Sequence, residues 1–198
     1  MRTLHLVPIV HTEADLGQLA ERVRRATRLT QGRGVWARKQ ALASELWRAI
    51  RNWCDQLPPA LAGWTLYQDG LPVCGREADI VRDLAAKGSD NHRLLLELVA
   101  RGASLLGTES GELLLAEYAL ARTIAEGRTP DASAASELLA QRDRFIADRI
   151  ASTLPQESSA VLFIGALHDV RRFLPDDLTV KVADLSPITP ARPATSRS

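Results

Sequence analysis

Two apolar runs in this chain lead straight into a histidine: residues 4–10 precede His11, and residues 160–166 precede His168. Imidazole titrates closer to neutrality than any other side chain and ligates metals when neutral, so the chemistry on offer is general acid/base catalysis or metal ligation. If both runs are strands of a parallel sheet, both histidines lie just past carboxyl ends, along the edge where such sheets hold ligands. Arg142 adds a charge to a helical stretch in which Leu138, Leu139, Phe145, Ile146 and Ile150 define an inward stripe, and Arg149 lies near the same face. A lone cation taken out of water is costly, so Arg142 either snorkels to the rim or meets a carboxylate, a carbonyl or a bound anion. Glu109, Asp69, Glu13 and a substrate oxyanion are the candidate partners.

Glu109 stands just beyond a short strand candidate at 102–107, and Asp69 holds the corresponding place after a strand at 64–68. Either acid could orient a histidine or hold a metal. Glu109 has a second reading, as an acid in the first turn of the next helix, stabilised by the helix dipole with no function. Ser104, Ser110, His5 and His92 carry no nucleophile signature, and no Gly-x-Ser-x-Gly elbow or phosphate-binding glycine loop occurs.

The elements that must position these residues alternate. Residues 3–10 read as a strand, in which Pro8 marks a strand end or an edge position. A helix follows at 12–29, with Thr12 as its N-cap, and a second at about 35–57 carries Leu46, Ile50, Trp53 and Leu57 as one stripe before Pro58-Pro59. Asp69-Gly70-Leu71-Pro72 reads as a turn or site loop. Two short helices occupy 76–87 and 89–101, and another runs to about 126. Thr129-Pro130 supplies an N-cap and first helical residue for a helix reaching about 154. Strands at 160–164 and 178–183 complete the pattern. Strands separated by helices predict an α/β fold, a single domain over 1–185 with a mainly parallel central sheet flanked by helices. Residues 186–198 are rich in proline, serine and arginine and read as a disordered tail.

A chain of 198 residues buries an ample core without a metal or disulfide staple, and 45% apolar with 25% charged residues is the composition of a soluble globular protein. The formal charge of +1 argues against a dedicated nucleic-acid binder. Within it, residues 1–51 hold ten basic and four acidic side chains, which either coat helix faces, pair with the acidic remainder or meet an anionic partner. Two cysteines, Cys54 and Cys74, make neither a disulfide framework nor a zinc cluster. With no secretory core region and no apolar run of membrane length, the expectation is a cytoplasmic protein.

These residues resemble the TraB, Tiki, ChaN and erythromycin-esterase superfamily over about residues 3–183. Members share a first strand ending in Gly-x-x-His, a helix with Arg-x-x-Met-Ala and a late strand ending in a second Gly-x-x-His. The late motif stands as Gly165-Ala166-Leu167-His168 after Val161-Leu162-Phe163-Ile164, and the helix motif as Arg142-Asp143-Arg144-Phe145-Ile146-Ala147. The first reads Pro8-Ile9-Val10-His11, with proline where glycine is usual. The resemblance implies a cleft used for hydrolysis of ester or peptide bonds, sometimes with a divalent metal, or for ligand binding without catalysis. His11 is then general base or ligand, and His168 ligand or transition-state stabiliser. Glu109 or Asp69 orients one of them, and Arg142 holds developing negative charge. Asp69, Arg149 and Thr12 are substrate-binding candidates, and His11, His168 and Glu109 the metal-ligand candidates for Mn, Co or Zn. The expectation is a hydrolase of a small-molecule or peptide substrate, or a binding or regulatory module retaining the cleft.

Overall fold

The computed structural model describes residues 1–10, 38 and 41–186. His11, Thr12, Glu13, the helix expected at 12–29 and the tail beyond Ser186 lie outside the described residues. In chain order the elements are β1 (Arg2–Ile9), α1 (41–55), β2 (Trp64–Pro72), α2 (Glu77–Ala86), α3 (Asp90–Ala100), β3 (Ser104–Glu109), α4 (Gly111–Ala125), α5 (Ala132–Thr153), β4 (Ser159–Gly165) and β5 (Leu178–Val182). A 3-10 turn, Val170–Phe173, joins β4 to β5.

The five strands form one parallel sheet in the order β3-β2-β4-β1-β5, the α/β architecture that the alternating pattern predicts. Both faces are covered, which is why the inner strands read as continuous apolar runs. Val7, Ile9, Leu66, Val161 and Phe163 pack with Trp47, Ile50, Leu95 and Leu98 on the side of α1 and α3. Leu4, Leu6, Tyr67, Leu162 and Ile164 pack with Ile146 and Ile150 of α5 and Val170 of the 3-10 turn on the other. This division is what crossovers of one hand require. Connections leaving β1 and β2 move toward the β3 edge on one face, and those leaving β3 and β4 move toward the β5 edge on the other. Loops leaving the neighbours β2 and β4 therefore diverge and open a crevice at their carboxyl ends.

Several boundaries differ from expectation. Pro8 is not on an edge strand: β1 lies between β4 and β5, but β5 pairs only as far as Leu6, so the strand-end alternative holds. Residues 69–72 are not a turn. β2 continues to Pro72 through an irregularity in its pairing with β3, where Gly70 takes the left-handed φ of +76° that glycine alone adopts at little cost. Glu109 is not in the first helical turn but ends β3, with Ser110 as the N-cap of α4. The long helix begins after Asp131, whose carboxylate accepts from the Ser133 and Ala134 amides, rather than at Thr129-Pro130. A cap side chain that accepts from two free amides outcompetes the Thr129-Pro130 signal just before it.

Gly107 of β3 lies against this irregular stretch, and a Cβ there would run into the Pro72 carbonyl. Because the obstacle is backbone, Gly107→Ala should cost about 1–3 kcal/mol of stability in urea unfolding, the range for overpacked sites. An unchanged midpoint would show that β2 and β3 separate freely here.

Candidate functional site

β2, β3 and β4 deliver their carboxyl ends to one crevice, and α5 lays its buried stripe of Arg142, Asp143, Ile146, Ala147 and Ile150 beside it. The stripe therefore includes two charged residues, while Leu138, Leu139 and Phe145 are only half-buried.

Arg142 does not snorkel; its side chain is 4% exposed. Its Nε donates to Glu109 Oε2 at 3.2 Å, and Nη2 donates to Glu109 Oε1 at 2.7 Å and Asp69 Oδ1 at 2.9 Å. Nη1 donates to the carboxylate of half-exposed Glu117 from α4. Burial opposes the charge, but these three carboxylates outweigh it and raise the guanidinium pKa. A guanidinium has five N–H groups, so four are committed to the protein's own acids. That leaves little with which to hold a developing oxyanion, the role the resemblance implies for it.

Asp69 ties the crevice walls together. Its Oδ2 accepts the Gly165 amide of β4 at 2.9 Å, while Oδ1 faces Arg142 and lies 3.5 Å from His168 Nε2. Glu109 is fully buried; burial raises its carboxyl pKa, Arg142 opposes that rise, and Asp69 adds to it.

His168 follows β4 by three residues, and its amide donates to the Gly165 carbonyl at 3.1 Å in a tight turn. Its ring lies with Nδ1 2.5 Å from Asp143 Oδ1, and Asp143 Oδ2 accepts the Asp169 amide at 2.9 Å. Burial by itself would lower the imidazole pKa, but the bond to Asp143 and the Asp69 carboxylate push it up to about 9. At neutral pH the ring is thus an imidazolium: a proton donor, with no lone pair for a metal.

Asp69, Glu109 and His168 offer ligand atoms within 4.8 Å of one another. Arg142 Nη2 already bridges the two carboxylates, and a dication there would sit against both the guanidinium and the imidazolium. This arrangement of the three described donors does not fit a metal. His11, the remaining metal candidate, lies outside the described residues, as does Thr12. Arg149 is turned to the sheet, donating from Nε to the Gly107 carbonyl at 3.3 Å.

The structure thus brings Asp69, Glu109, Arg142 and His168 together, using both of the acids that the sequence offers as alternatives. Asp143 and Glu117 are the residues that sequence reasoning missed. Asp143 carried a signal, because it stands four and seven residues before Ala147 and Ile150 on the buried stripe. Glu117 carried none; its place is set by how α4 leans on α5.

Comparison of the chain with protein-family models, curated proteins and solved structures finds no match. What the fold defines is a class, a parallel α/β protein with a buried acid–arginine–histidine cluster at the strand-switch crevice. Among the described residues no helix is long and apolar enough to cross a membrane.

Proposed function

We propose that this chain is a hydrolase of an ester- or peptide-type bond, with His168 as its general acid. The observation that carries the reading is the Asp143–His168 pair beside the carboxyl ends of β2 and β4. Asp143 fixes the ring through Nδ1 and keeps it protonated, so Nε2–H, held only loosely by Asp69, is the proton available to a leaving group. In this reading Arg142 is the internal counter-charge that lets Asp69 and Glu109 stay buried, and His11 is the general base. The late Gly165-Ala166-Leu167-His168 motif supports reading the chain as a divergent, compact relative of the TraB, Tiki, ChaN and erythromycin-esterase group. The free thiols of Cys54 and Cys74 favour a cytoplasmic setting.

The alternative, a ligand-binding or regulatory module with the same crevice, is favoured by one feature: Arg142 and Asp69 already satisfy each other and their neighbours. Purified protein screened against ester, lactone and peptide panels, with and without Mn²⁺, Co²⁺ and Zn²⁺, separates the two. Turnover should fall by about 10²–10⁴ in His168→Ala, the usual worth of a positioned acid, and also in His11→Ala. Activity surviving both replacements removes the hydrolase reading. Silence across the panels, with a metabolite retained in native mass spectrometry, establishes the module.

A further inference from the structure

Three arginines lie close along the chain to the Asp143–His168 pair without joining the buried ion pairs. Arg144 follows Asp143 on α5, and Arg171 and Arg172 belong to the 3-10 turn that begins two residues after His168. All three are exposed. The guanidinium carbons of Arg144 and Arg172 each lie 5.1 Å from the centre of the Phe173 ring. The two charges are therefore within about 10 Å of each other, roughly one Debye length at ordinary ionic strength.

None of the three makes a hydrogen bond or ion pair with a described residue. Asp148, one helical turn beyond Arg144, leaves it unpaired, and Asp177 past the turn is taken by Arg2. Elsewhere on the surface the habit is the opposite: Arg51, Arg82, Arg93 and Arg128 each pair with a neighbouring acid. A guanidinium stacked on an aromatic ring is held in place while its N–H edge stays open, which is the form in which arginine recognises planar or tetrahedral oxyanions. Like charges gathered without a counter-ion give a local positive potential, and beside them the buried cluster is rich in carboxylates. An anionic ligand approaching the crevice would be attracted by this rim and not by the floor.

We propose that Arg144 and Arg172, stacked on Phe173, with Arg171 next to Arg172 in the 3-10 turn, form an oxyanion subsite that holds a phosphate or carboxylate group of the ligand approaching His168. Only the link to His168 rests on the hydrolase reading; the anion binding does not.

The test is titration of the full chain with inorganic phosphate, and separately with acetate, at constant ionic strength made up with chloride. Binding is followed by calorimetry and by the arginine Nε–Hε signals in NMR. Saturable phosphate binding should move the Arg144 and Arg172 signals, and its affinity should fall by about tenfold or more in the Arg144→Gln, Arg172→Gln double variant, as expected for loss of charge-assisted bonds. Both replacements are at exposed positions, so far-ultraviolet circular dichroism should be unchanged. Acetate saturating the same signals assigns a carboxylate-bearing ligand, and phosphate alone a phosphorylated one. A response no different from chloride's, an unchanged affinity in the double variant, or loss of phosphate binding in His168→Gln overturns the proposal. Phosphate bound as expected, with every hydrolase panel silent, instead refutes the hydrolase reading and leaves the subsite standing.

Discussion

Arg142→Ala should destabilise the protein by about 3–5 kcal/mol, the range for removing one partner of a buried ion pair. The cost arises from the groups left behind. Glu109 and Asp69 are 0% and 4% exposed, and without the guanidinium two carboxylates would face each other in a water-poor crevice. Glu109 would take up a proton, and Asp69 would lose its guanidinium partner while keeping the Gly165 amide and the longer approach to His168. Glu117 contributes little to this cost because its side chain is 46% exposed and water can replace the lost contact. A triple replacement, Arg142→Met with Asp69→Asn and Glu109→Gln, removes the charges together and should recover much of the loss, since apolar or neutral substitutes for a buried ion cluster are often no less stable. Urea-unfolding free energies of the three proteins decide the matter. A single variant within about 1 kcal/mol of wild type, the usual worth of a surface pair, would mean that water reaches the cluster.

The second large effect is on the pH dependence of stability. The His168 pKa is raised from 6.5 to about 9 in the folded protein. A raised imidazole pKa means that folding favours the protonated ring. Its contribution is fully present below pH 6.5 and is lost as pH rises toward 9. At about 1.4 kcal/mol per unit this amounts to about 3 kcal/mol. Unfolding free energy should therefore fall between pH 6.5 and 9 in wild type, and by much less in His168→Gln. Asp143→Asn, which removes the ring's nearest carboxylate, should flatten the same window. Cys54, whose thiol burial pushes up to about 12, adds a further loss only above its ordinary value of 9.0. A wild-type profile as flat as that of His168→Gln between pH 6.5 and 9 would show that the imidazole titrates normally and is not held as a cation.

Much of the scaffold was legible because it is written in local periodicity. The apolar run at 160–164 is the centre of β4, and the stripe around Arg142 is the buried side of α5. Boundaries failed where a local competitor was stronger than the signal used: Asp131 over Thr129-Pro130 as a cap, and a left-handed Gly70 that bends a strand instead of ending it. The site was half legible. Arg142 on an apolar face had either to snorkel or to meet a counter-charge, and Glu109 and Asp69 stood at strand ends able to supply one. Their simultaneous use, and the addition of Glu117, depended on how closely α4 and α5 pack.

Among the described residues the sequence by itself located most of the strands and helices and their buried faces, because these follow from the spacing of apolar and charged residues within one element; for Arg142 it left snorkelling and a counter-charge both open. The tertiary structure alone decided that β4 lies beside β2, so that Asp69 reaches the Gly165 amide 96 residues away and the Arg142 guanidinium 73 residues away. Strand order is set by crossover direction and by packing between elements. No residue pattern inside a single strand encodes its neighbour.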